Sequence, residues 1–181
     1  MEKNKAIFLD RDGVINDIVL REGKPGSPRK MDEFVLAQGA EKAVRDFKRM
    51  GYLTIIFTNQ PDIKRGLMKT EDLERMHRFL AEKFPLDEIK TCPHDDEDCC
   101  LCRKPKPGMI LEAASKWSID LAKSYVIGDN RKDIEAGKAA GCKTFLIRRE
   151  YNEDFKNGFD FEIKNLKEAV LKIREEEKKS I

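Results

Sequence analysis

Four carboxylates stand where a sheet would present them to a ligand. Asp10 and Asp12, in Asp10-Arg11-Asp12-Gly13, follow the apolar run Ala6-Ile7-Phe8-Leu9 directly; Asp129 follows Tyr125-Val126-Ile127-Gly128 in the same way, with Asp133 four residues further on. Open α/β sheets bind their ligands at the carboxyl edges of such strands. Carboxylates gathered there repel and raise one another's pKa, so a hard, oxygen-preferring cation, Mg²⁺ above all, is the natural counter-charge. A metal beside an Asp nucleophile points to phosphoryl chemistry. A lone Asp after a strand can equally cap the next helix, but capping does not explain the convergence. Thr58-Asn59, ending another apolar run, offers a hydroxyl and a backbone N–H to phosphate oxygens, although such a pair also makes an ordinary turn.

A second cluster is made of soft donors. Four of the five cysteines, Cys92, Cys99, Cys100 and Cys102, fall within eleven residues with His94 among them. Cys92-Pro93-His94 and Cys100-Leu101-Cys102 supply three thiolates and an imidazole, a set suited to tetrahedral zinc, with Cys99 a competing ligand. Buried thiols alone are a poor alternative, because Asp95, Asp96, Glu97 and Asp98 make the stretch polar. With every position filled by protein, no water is left to activate, so the zinc would be structural. It would close a loop of about seventeen residues, 91–108, that carries almost no core of its own.

Elements of alternating type must hold these groups. Ala6–Leu9, Leu53–Phe57, Tyr125–Ile127 and Lys143–Ile147 are short apolar runs, the mark of strands buried on both faces. Between them Ala40, Ala43, Val44 and Phe47 recur at helical spacing, as do Leu73, Met76 and Leu80, then Ile110, Leu111 and Ala114, then Ile134 and Ala139. The expected fold class is α/β, a Rossmann-like three-layer sandwich with a central parallel sheet. A last helix is expected from about Asn165 to Lys178, dissolving into a fraying charged tail. Two stretches resist this pattern and read as loops, 16–34 and 91–108.

The 181 residues suit one domain spanning the chain. Hydrophobic residues make up 40% and charged residues 39%, and 36 Lys and Arg against 34 Asp and Glu leave a net charge of only +2. Such compensation gives no bulk attraction to nucleic acid or anionic membrane, and 8% aromatics offer no stacking platform for bases. No apolar run reaches the roughly 18 residues of a membrane span. Crowded cysteines in a metal-like pattern suit a reducing, cytoplasmic setting. Cys142, His77 and Trp117 read as a small buried hydrophobe, a surface residue and a packing residue, without chemical roles.

Taken together, Asp10-Arg11-Asp12-Gly13-Val14-Ile15-Asn16, Thr58-Asn59-Gln60, Cys102-Arg103-Lys104-Pro105 and Gly128-Asp129-Asn130-Arg131-Lys132-Asp133 resemble the four ordered motifs of haloacid dehalogenase (HAD)-type phosphatases. More narrowly they are similar to the branch of histidinol-phosphate phosphatases and D,D-heptose 1,7-bisphosphate 7-phosphatases, over residues 6 to about 147. The resemblance implies phosphomonoester hydrolysis through an aspartyl-phosphate. Asp10 would be the nucleophile, and Asp12 would protonate the leaving alkoxide and then deprotonate water, a role suited to a raised pKa. Asp10, the backbone carbonyl of Asp12 and Asp129 would hold Mg²⁺. Thr58 and the Asn59 N–H would bind phosphoryl oxygens, Lys104 would neutralise the transferring group, and Asp133 would orient Lys104 or a metal-bound water. The branch's Cys-x-His and Cys-x-Cys pattern selects Cys92, His94, Cys100 and Cys102 as zinc ligands and leaves Cys99 spare.

Neither interval after the first two motifs has room for a large cap domain, so an open site is expected, with specificity drawn from loops. Arg65 and Arg103, with Arg21, Lys24, Arg29 and Lys30 of the loop 16–34, would suit a second anionic group such as the anomeric phosphate of a sugar bisphosphate. Histidinol phosphate is the alternative within the class, its ammonium groups suiting Asp62 or Glu22. A non-catalytic zinc-containing binding module has no need of Asp10, Asp12, Lys104 and Asp129 together, and a phosphomutase needs a closing cap. The expected partner is a small phosphorylated metabolite, and the chain is expected to act as a monomer.

Overall fold

The computed structural model describes residues 3–179. Strands β1 (Lys5–Leu9), β4 (Tyr52–Asn59), β5 (Glu88–Cys92), β6 (Tyr125–Gly128), β7 (Lys143–Ile147) and β8 (Phe161–Ile163) form one parallel sheet in the order β5-β4-β1-β6-β7-β8. Helices α1 (Ala40–Arg49), α2 (Thr70–Lys83), α3 (Gly108–Trp117), α4 (Arg131–Ala140) and α5 (Leu166–Lys179) cover its faces. This is the Rossmann-like sandwich that the apolar runs predict.

The two-residue period of a strand explains the layers. Ile7 and Leu9 of β1 and Ile56 of β4 join the core under α1, α2 and α5, whereas Ala6, Phe8, Ile55 and Phe57 join the core under α3 and α4. Both faces are therefore apolar, and only the strand ends are left to carry polar chemistry. The chain leaves β1 toward β4 and β5 on one side and returns to β6 on the other, so the crevice at the carboxyl end of β1 is the switch point of the sheet.

Two readings of the sequence are corrected, and two edge strands that it left out are added. Residues 16–34 are not loop throughout: β2 (Val19–Arg21) and β3 (Lys24–Gly26) pair as an antiparallel hairpin, turned by Glu22 and Gly23 at φ 51° and 74°. Two successive positive φ values make the turn whose twist matches a hairpin. The edge strands β5 and β8 carry no long apolar run, because an edge is not buried on both sides. The charged tail does not fray before Lys179: Glu177 pairs with Lys5 and accepts a hydrogen bond from Tyr52 Oη at 3.0 Å, and Lys143 pairs with Glu176 at 3.0 Å. Between β1 and α1 the described residues hold the hairpin and one 3₁₀ turn, with no large cap domain. No helix among the described residues is long and apolar enough to cross a membrane.

Candidate active site

Asp10 leaves β1 at the sheet edge, where its backbone N–H donates to Ile127 O at 2.9 Å and locks the first motif against β6. The same edge receives Thr58 and Asn59 from β4 and Asp129 from the end of β6. Asp133 lies in the first turn of α4, where its Oδ2 accepts from the Asn130 N–H at 2.9 Å and completes a capping box. It caps a helix and serves the site at once. Two glycines make the approach possible: a Cβ at Gly128 would overlap Asp133, and one at Gly13, at φ +82°, would overlap the Asp129 carboxylate.

Lys104 reaches the floor of the cleft from the segment after the cysteines. Its Nζ lies 2.8 Å from Asp10 and 2.6 Å from Asp133, donates to Phe57 O at 3.0 Å, and is 4.4 Å from the centre of the Phe57 ring. Asn59 fixes the approach, its side chain donating to Lys104 O and accepting from Lys104 N, each at 3.1 Å. Burial alone would lower the pKa of this ammonium, but Asp10 and Asp133 outweigh it and hold the pKa above the ordinary lysine value.

One ammonium does not balance three carboxylates. Asp10, Asp129 and Asp133 bring ligand oxygens within 4.8 Å of one another, all buried. Burial, then the charge of Asp133, pushes Asp10 well above the carboxylate range; the same two causes push Asp129 up to about 7. Such a donor set is made for a divalent, oxygen-seeking cation. The Tyr151 hydroxyl donates to Asp129 Oδ2, and Asn152 Nδ2 donates to Asp129 O at 2.7 Å.

Asp12 departs from the expectation of a raised pKa. Burial does favour its neutral form, but Arg11 opposes this with hydrogen bonds at 3.0 and 3.1 Å, aided by Asn16 at 2.9 Å and Ser27 and Gln60 at 2.8 Å, and the pKa is lowered. Its carboxylate is not among the three that converge. Arg11 is fully buried, and its other arm meets His77 Nε2 at 3.3 Å. His77 is thus half-buried in contact with the site's arginine rather than a plain surface residue. Gln60 Nε2 also donates to Thr58 Oγ1 at 2.8 Å. Arg11, Gln60, Ser27, His77 and Tyr151 had no assigned part in the sequence reading. Arg11 and Gln60 carried a signal, as members of the Asp-Arg-Asp-Gly and Thr-Asn-Gln motifs; Ser27, His77 and Tyr151 carried none.

The cysteine loop folds as a knuckle against the start of α3. Cys92, His94, Cys100 and Cys102 bring their donor atoms within 4.8 Å, with Cys102 Sγ 3.2 Å from Cys92, 3.4 Å from Cys100 and 3.4 Å from His94 Nδ1. These spacings suit zinc, whose bonds to sulfur are about 2.3 Å long. Cys99 is exposed and in the left-handed region at φ 49°, outside the quartet. Burial, helped by the Cys102 thiol, pushes Cys92 up to about 12. Cys100 is lowered to about 7, because the Arg103 N–H and the other donors outweigh burial.

The cleft above Asp10 encloses about 450 Å³ and is rimmed by the hairpin, the turn after β4 and the knuckle. Arg21, Lys24, Arg29, Arg65, Arg103 and Lys132 line it, and Lys30 does not. Several are already braced: Arg29 donates to Asp62 at 2.6 Å, Arg65 to Asp95 at 2.8 Å, and Arg103 to Asp96 at 2.7 Å and His94 O at 2.9 Å. Asp62 is engaged by Arg29 and Arg65 and is not free for an ammonium group.

A HAD-hydrolase-like family model matches residues 101–161. The D-glycero-beta-D-manno-heptose-1,7-bisphosphate 7-phosphatase of Helicobacter pylori is 38% identical over 153 residues, covering 81% of this chain and 85% of that protein. The D-glycero-alpha-D-manno-heptose-1,7-bisphosphate 7-phosphatase of Campylobacter jejuni is 36% identical, covering 97% and 99%. Among solved structures, D,D-heptose 1,7-bisphosphate phosphatase from B. bronchiseptica, complexed with magnesium and phosphate, matches with a TM-score of 0.81 at 30% identity, covering 95% of this chain and 99% of that one. The fold and the carboxylate-lined switch point are those of a HAD-type phosphatase. Within that class the chain belongs to the family of heptose-1,7-bisphosphate 7-phosphatases.

Proposed function

We propose that the chain hydrolyses the 7-phosphate of D-glycero-D-manno-heptose 1,7-bisphosphate in a Mg²⁺-dependent reaction through a phosphorylated Asp10. The carrying observation is the buried Lys104 ammonium between Asp10 and Asp133, at 2.8 and 2.6 Å, with Asp129 alongside and a cation-lined cleft above. Asp10, Asp129 and the backbone carbonyl of Asp12 would hold the Mg²⁺, whose charge offsets that of the nucleophile and the phosphoryl group.

Asp10 forms a bond to phosphorus as the bond from phosphorus to the sugar oxygen breaks. Thr58 and the Asn59 N–H hold phosphoryl oxygens, and Lys104 neutralises the developing charge. Asp12 gives its proton to the leaving alkoxide, which requires its carboxyl to leave Arg11 and take up a proton as substrate enters. Ionised again, it accepts the proton of the water that attacks the phosphorus of the acyl-phosphate, releasing inorganic phosphate and restoring Asp10. Arg65 and Arg103 meet the 1-phosphate. The knuckle zinc is structural, and the enzyme is a monomer of the reducing cytoplasm.

Support for the sugar substrate comes from the names of the relatives and from the cations lining the cleft. Initial rates with Mg²⁺ on both anomers of heptose 1,7-bisphosphate, histidinol phosphate and simple hexose phosphates test it, with Asp10→Asn as the blank. A preference of at least about a hundredfold in kcat/KM for a heptose bisphosphate is expected. An equal preference for histidinol phosphate contradicts the assignment.

A further inference from the structure

The 3₁₀ turn Glu150–Asn152, which follows β7 and lies outside all four motifs, grips both sides of the carboxylate cluster. Tyr151 Oη donates to Asp129 Oδ2. Asn152 Nδ2 spans Asp129 O at 2.7 Å and Ile147 O at 2.9 Å, tying the backbone of the carboxylate to the end of β7. From just before the turn, Arg149 Nη2 donates to Gly13 O at 3.0 Å and so holds the loop that carries Asp10 and Asp12. A Cβ at Gly13 would lie 2.8 Å from the Tyr151 hydroxyl, so the missing side chain leaves room for the phenol against the nucleophile loop.

We infer that Tyr151 is a positioning residue for the divalent cation, fixing one oxygen of Asp129 and so holding the carboxylate in place beside Asp10 and Asp133. The inference rests on the metal site of the proposed function. An unheld carboxylate rotates about its last torsion and must be ordered when the ion binds. A hydrogen bond to one oxygen removes that freedom beforehand, and partners of this kind are typically worth about 10- to 100-fold in metal affinity. The ring also lines the cleft, but its only polar atom is turned to Asp129.

The test is Tyr151→Phe, which keeps the ring and removes only the hydroxyl. Calorimetric titration with Mg²⁺ alone should give a Kd raised about tenfold or more. The Mg²⁺ concentration for half-maximal turnover should rise by the same factor, and excess Mg²⁺ should recover the lost rate. A merely structural tyrosine would lower turnover at every Mg²⁺ concentration alike, and an unchanged Kd overturns the inference. Asp129→Asn serves as the control: if it binds Mg²⁺ as the wild type does, the metal site itself is misplaced and the inference falls with it.

Discussion

The Lys104 ammonium and the Asp133 carboxylate, both shut from solvent, lie 2.6 Å apart, and Asp133 simultaneously caps the helix it begins. One ion pair thereby links the knuckle segment to α4 across the floor of the site. Among the described residues Lys104 is the one cation acting on the buried pair Asp10 and Asp133, so Lys104→Met leaves buried carboxylates without compensation. Urea unfolding at pH 7 should show a loss of about 3–5 kcal/mol, partly recovered by Mg²⁺. Turnover should fall at least about a hundredfold. Wild-type stability would contradict the ion-pair account.

His77 predicts a pH dependence. Burial, then the charge of Arg11, pushes its pKa down to about 4. The unfolded chain, with an ordinary value of about 6.5, takes up the proton first, so stability falls as pH drops from about 6.5 and the loss is complete below about 4. The shift corresponds to about 3 kcal/mol. His77→Gln should flatten the stability profile across that window; parallel profiles for the two proteins would show that His77 does not titrate this way.

Cys100 and Cys99 are neighbours with opposite fates. Cys100→Ser should lose zinc, measured by metal content, should lose hydrogen-exchange protection over residues 92–108, and should lower turnover through Arg103 and Lys104. Cys99→Ser should keep all three, because the Cys99 side chain stands outside the quartet. Zinc-free protein with unchanged turnover would separate the knuckle from the site.

Arg103→Ala should lower kcat/KM for the heptose bisphosphate about tenfold more than for a small phosphate monoester, because the side chain lines the cleft from the knuckle, where Asp96 and the His94 carbonyl hold its guanidinium. Equal losses would show that Arg103 does not read the second phosphate.

Much of this was legible in the sequence because β1, β4 and β6 carry apolar runs buried on both faces, so their carboxyl ends are marked by the polar residues that close the run, Asp10, Thr58-Asn59 or Asp129. The knuckle was legible from donor spacing. What escaped depends on tertiary contact. Asp12 looked like a carboxyl of raised pKa until Arg11, Ser27 and Gln60 were seen to converge on it. Ser27 reaches it from a hairpin that reads as loop, and Tyr151 sits in a turn with no motif. Strand β5 hid because Glu88, Lys90 and Thr91 are an edge sequence.

Trapping the covalent intermediate tests the central claim most directly. Enzyme mixed with heptose 1,7-bisphosphate and Mg²⁺, quenched in acid within the first turnover and reduced with borohydride, should show the alcohol derived from an acyl-phosphate at position 10 in the peptide map, and Asp10→Asn should show none. Modification at another residue, or efficient turnover by Asp10→Asn, would contradict the account.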